Sequence, residues 1–175
     1  YGKTKNFVFD VDVSAIDDEI HLTSFANVTL TIGKNHKYTY QNSSNSKLIK
    51  QQLFRLEAIE IINQCISLKK YNDETFKNVV NTFNRKLHDY NCLAKDQYIQ
   101  NILDDFSGQV KEALNMTNDG LKEDWFSRWG IHYLRSLQEA YKNEMCNNFK
   151  DKGILNFKSR MFDELCDSIS TIFEG

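Results

Sequence analysis

What most constrains this chain is a change of period near Asn45. Before it, Phe7, Phe9, Val11 and Val13 alternate with polar or smaller residues, as do Ile20 with Leu22, Val28 with Leu30 and Ile32, and Tyr38 with Tyr40. Alternation places these side chains on one face of a strand. Gly33-Lys34-Asn35 lies between the last two runs, where a hairpin turn is expected. After the polar segment from Gln41 to Ser46 the apolar residues recur at three- and four-residue steps instead, the period of helices. The expectation is an α+β chain in two parts. Residues 1–44 form a small antiparallel β-sheet, open to completion by upstream strands, and residues 45–175 form an antiparallel bundle of about five helices.

The helices follow from the pattern. The first spans about Lys47 to Lys69, with Ile49, Leu53, Leu56, Ile59, Ile62 and Ile66 as its inward stripe. Asn72-Asp73 is placed to cap a second, carrying Phe76, Val79, Val80, Phe83 and Leu87. A third runs from about Asp96 to Leu114, with Ile99, Ile102, Leu103, Phe106 and Val110 inward, and Thr117-Asn118-Asp119-Gly120 breaks the chain after it. The fourth presents Leu134, Leu137, Tyr141, Met145 and Phe149, and Asp151-Lys152-Gly153 supplies its stop. Met161, Phe162, Leu165, Ile169 and Phe173 mark the fifth. Gly130 interrupts the fourth pattern, as a helix start or a close backbone approach would require.

Composition limits function. At 175 residues with 41% hydrophobic content the chain can bury a sizeable core. A net charge of −2, without a stripe of Lys and Arg, argues against a nucleic-acid footprint. No run is long enough to cross a bilayer. Cys65, Cys92, Cys146 and Cys166 show no close pairing of the kind metal sites use, and read as free thiols in a reduced, intracellular and cytoplasmic setting. The missing initiating methionine suggests a piece of a longer polypeptide.

Three places invite a chemical reading. Phe7-Val8-Phe9-Asp10-Val11-Asp12-Val13 has the letters of the strand and D-x-D of a magnesium-dependent phosphohydrolase of haloacid-dehalogenase type. There the first Asp attacks phosphorus and the second handles the leaving-group proton. Asp10, Asp12 and Ser14 also suggest a D-x-S-x-S metal loop. Either needs a parallel sheet whose later strands deliver further acids, whereas alternation explains the letters with Asp10 and Asp12 facing water. Cys146 lacks a base at a diagnostic spacing, so Asn147 and Asn148 are better used on the carbonyls at a helix end, with Phe149 pinning that end to the core. His132 lies one turn from Arg128, beside Trp129, which suits a polar anchor. Trp125, Phe126 and Trp129 suit packing or a protein partner better than base stacking.

R-W-G-x-H-Y-L from Arg128 to Leu134, followed by C-N-N-F-K-D-x-G from Cys146 to Gly153, resembles the domain found after von Willebrand factor A (VWA) domains, the VWA/Hint-associated or Vwaint domain. Lys152 departs from the proline of that pattern. The resemblance implies a protein-interaction or scaffolding module following a VWA-like domain, with that domain among its protein partners. It implies no catalytic residue, no metal and no cofactor. The contact candidates are Trp125, Arg128, Trp129, His132, Tyr133, Asn147, Asn148 and Phe149. Two other readings stand beside it: the phosphohydrolase using Asp10 and Asp12, and a purely structural part of a large cytoskeletal or ciliary assembly.

Overall fold

The structure, a computed structural model, describes residues 27–32, 36–41, 46–71, 74–116, 125–146, 151–162 and 164. Strands β1 (Asn27–Ile32) and β2 (His36–Gln41) pair antiparallel, with Val28 opposite Tyr40 and Leu30 opposite Tyr38. The helices follow: α1 (Ser46–Lys70), α2 (Thr75–Ala94), α3 (Gln97–Ser107), α4 (Gln109–Ala113), a π-helical turn (Phe126–Gly130), α5 (Ile131–Asn143) and α6 (Lys152–Leu155).

This corrects the α+β expectation, because the body of the molecule is a helical bundle. The paired strands make a two-stranded ribbon, and two strands provide too little face to form a layer. The described core runs from Gln52 to Ile154 and is built on helices and their caps. The strand patterns at Phe7–Val13 and Ile20–Leu22 lie outside the described residues.

In α2, Phe76, Val80, Phe83 and Leu87 stand on one face and are buried, as their spacing requires. Asn72 and Asp73 lie outside the described residues, and the residue preceding α2, Glu74, makes no side-chain cap. Lys95 takes the left-handed conformation and its N–H bonds Asn91 O, which ends α2. Asp96, next along the chain, is extended and accepts a hydrogen bond from Tyr98 N at 3.0 Å, which starts α3. Gln51 Nε2 donates to the same carboxylate at 2.9 Å, tying the first turns of α1 to this junction. The single third helix expected from the sequence breaks at Gly108 into α3 and α4. Phe83 and Phe106 meet edge to face at 4.8 Å, joining α2 to α3.

Helix α1 departs from its expected stripe. Phe54, Ala58, Ile62, Cys65 and Ile66 are buried, whereas Ile49, Leu53 and Leu56 are exposed. Buried Gln52 and Arg55 share the inner face with them. Apolar residues surround this helix, so their periodicity does not single out one side.

Candidate functional site

The signature segment enters the bundle through its π-turn. Its hydrogen bonds span five residues where those of an α-helix span four, which shifts the faces of everything that follows. Gly130 ends that turn at a point where a Cβ would collide with the carbonyl oxygen of Ala113, so the backbone of α4 lies directly against it. A close approach is therefore what this glycine provides. Trp125, Trp129 and Tyr133 follow at four-residue steps and form a ladder of rings. The tryptophans are 5.3 Å apart, and Trp129 stacks on Tyr133 at 5.0 Å with 13° between the planes. Both tryptophans keep part of their surface exposed, while Tyr133 is buried.

Below the ladder the polar residues turn inward. Tyr133 donates to Asp151 Oδ1 at 2.8 Å, and Tyr141 donates to Asp105 Oδ2 at 2.9 Å. The backbone N–H of Gly153 donates to that same Asp105 oxygen at 3.0 Å. Any side chain at position 153 would overlap the Tyr141 hydroxyl and this carboxylate, so the glycine admits the backbone to a bond that only the backbone can make. Asp105 is thus a hinge between α3, α5 and the start of α6. Burial pushes its carboxyl up to about 7, opposed by the Gly153 and Tyr141 hydrogen bonds and assisted by the charge of Asp151. Burial also raises Asp151, and lifts the Tyr133 and Tyr141 hydroxyls, so both phenols remain donors at neutral pH.

A second buried group lies at the other end of Tyr141. Its carbonyl accepts from Arg55 Nη1 at 2.7 Å, while Arg55 Nη2 stands 3.1 Å from Glu144 Oε1 and Arg55 Nε donates to Gln52 Oε1 at 2.7 Å. Glu144 ends α5 in the left-handed conformation, with its side chain buried. The stop of this helix is therefore Glu144 and not Asp151-Lys152-Gly153, which instead opens α6. The ion pair with Arg55 holds Glu144 in a conformation usually left to Gly or Asn.

Of the residues singled out in the sequence, Tyr133 enters the buried network, and Trp125 and Trp129 form the half-buried ladder above it. Arg128 and His132 are exposed and one turn apart. Asn147, Asn148, Phe149, Asp10 and Asp12 lie outside the described residues. Cys146 donates its thiol to Ile154 O at 3.3 Å, a structural contact. Met145, expected inward, is exposed. Sequence reasoning missed Arg55, Asp105 and Glu144. The legible trace of the first two is a charged residue embedded in an apolar stripe, Arg55 beside Phe54 and Asp105 beside Phe106, a placement that is costly unless a partner awaits it. Glu144 carries no such mark.

Outside the network, a groove of about 650 Å³ opens where the end of α1 meets the π-turn, lined by Lys69, Lys70, Asn115, Phe126, Ser127, Ile131 and Arg135. Among the described residues no three His, Cys, Asp or Glu side chains gather as metal ligands would. No described helix is long and apolar enough to cross a membrane.

Residues 96–171 match the Vwaint family, described as VWA / Hh protein intein-like. The Vwaint match begins at Asp96, the cap of α3, and takes in Asp105, Tyr133, Tyr141, Asp151 and Gly153. Arg55 stands on α1, ahead of the matched residues, yet bonds into them. Neither the curated proteins nor the solved structures gave a match.

Proposed function

We propose that this chain is a non-catalytic interaction module that accompanies a VWA domain and helps it hold or present protein partners, in a cytoplasmic setting. The observation that carries this reading is the inward use of the Vwaint segment's polar groups. Asp105, Tyr133, Tyr141 and Asp151 bond to one another and to the Gly153 backbone, where they fix helices instead of facing a solvent-filled cleft. The partly exposed rings of Trp125 and Trp129 offer the rigid aromatic surface on which protein interfaces rely. The cytoplasmic setting rests on Cys65 and Cys92, which are free thiols.

Two measurements test the reading together. The full chain is expected to release no phosphate from p-nitrophenyl phosphate with magnesium above the buffer rate. It is also expected to associate with a VWA domain of the same polypeptide, more weakly once Trp129→Ala is introduced. Magnesium-dependent turnover abolished by Asp10→Asn would overturn it in favour of the phosphohydrolase.

A further inference from the structure

The groove between α1 and the π-turn has the chemistry of a receptor for an acidic peptide. Its rim carries Lys69 and Lys70 from the last turn of α1 and Arg135 from α5, and its floor includes Phe126 and Ile131. None of the described residues that line it is acidic. Lys70 and Arg135 are exposed and form none of the ion pairs among the described residues. Lys69 is half-buried, its ammonium 4.8 Å from the centre of the Phe76 ring, which fixes one cation in place. The two lysines also face the negative end of α1, but a helix terminus carries only about half a charge and cannot neutralise three cations.

The geometry points to this groove as the docking site for an acidic, partly apolar peptide segment of a partner protein, its carboxylates on Lys70 and Arg135 and an apolar side chain on Phe126 and Ile131. This rests on the reading of the chain as an interaction module and names the class of partner one face takes. A nucleic acid would ask for a longer track of cations, whereas here the charge is confined to one groove around an apolar floor. The π-turn supplies part of the wall, and turns of that kind recur at functional sites.

Fluorescence polarisation with the full chain tests the inference. The probe is a fluorescein-labelled peptide in which glutamates alternate with leucine and phenylalanine, set against its lysine counterpart and a single-stranded RNA of similar length. Saturable binding of the acidic probe alone is expected, weakened about tenfold between 50 and 300 mM NaCl. Arg135→Glu and Lys70→Glu should each weaken it about tenfold or more while leaving the circular dichroism spectrum unchanged. Lys50→Glu serves as the remote control, about 30 Å from Lys70 along α1, and should not weaken it. Absence of saturable binding, equal binding of the RNA, or full retention in the Arg135→Glu/Lys70→Glu double variant would overturn the inference. Association with the VWA domain, measured separately, reports on the module reading alone.

Discussion

Helices α1 and α5 are both rich in apolar residues, yet only α5 places most of its sequence-expected stripe in the core. In α5, Leu134, Leu137 and Tyr141 are buried as their spacing indicates, with Tyr133 and Ala140 beside them. In α1, Ile62 and Ile66 are buried as expected, but Ile49, Leu53 and Leu56 remain exposed while Gln52 and Arg55 go inside. The polar residues of α5 leave one arc for the apolar ones, and that arc has to be the buried one. The apolar residues of α1 cover more than one arc, so the choice falls to the polar partners. Arg55 reaches Glu144 and the carbonyl of Tyr141 only when its own side of the helix faces α5. A buried ion pair thus acts here as an orientation device, the use for which such pairs are best supported.

The comparison is easiest to break at that ion pair. Arg55→Met should destabilise the fold by about 3–5 kcal/mol in urea titration, since it takes the cation from the buried Glu144 carboxylate and removes hydrogen bonds to the Gln52 oxygen and the Tyr141 carbonyl together. Adding Glu144→Gln should recover a good part of that loss. A cost below about 1 kcal/mol for the single change would mean that Arg55 does not orient α1.

Next in size, Leu137→Ala on the buried face of α5 should cost about 2–5 kcal/mol, the range for truncating an enclosed leucine.

The network of α5 should also give stability a pH slope. Asp105 is raised from 3.8 to about 7, so its unfolded form releases a proton more readily than its folded form. Its contribution is fully present below about pH 4 and is lost as the pH rises through 7. Asp151, raised by burial, acts in the same direction. Asp104 is also penalised by burial, but hydrogen bonds from Lys152 and Gln100 bring it below its ordinary value, so it works the other way. Unfolding free energy is therefore expected to rise by about 2 kcal/mol between pH 8 and pH 5, roughly half of what a three-unit shift allows. Asp105→Asn keeps an oxygen for Tyr141 and Gly153 and should flatten most of that slope. A slope unchanged in that variant would place the titrating group elsewhere.

The smallest effect sharpens the contrast most. Leu53→Ala, at a leucine with 41% of its surface exposed, should stay within about 0.5 kcal/mol of the parent protein. A loss comparable to that of Leu137→Ala would show that the outer face of α1 is covered in solution.

The helices were largely legible because burial and period agree over long stretches, as at Phe76, Val80, Phe83 and Leu87. Helix ends were less so. The expected stop at Gly153 opens α6 instead, and the actual stop is a glutamate whose left-handed conformation is held by Arg55, far back in the chain on α1. The network around Asp105 was illegible for the same reason: Tyr141 reads as apolar filling until the chain brings Asp105 and Gly153 to its hydroxyl.

By itself the sequence determined that the described residues after Asn45 are mainly helical, the inward faces of α2 and α5, and the family to which residues 96–171 correspond. Period and short-range spacing depend on neighbours within a turn or two, which is the range over which a sequence speaks directly. Tertiary structure alone decided which side of α1 is buried, why Gly130 and Gly153 admit no side chain, and where three cations enclose one groove. Each of these depends on groups far apart in the chain, whose meeting is set by packing and by the cost of leaving a buried charge or hydrogen-bonding group unmatched.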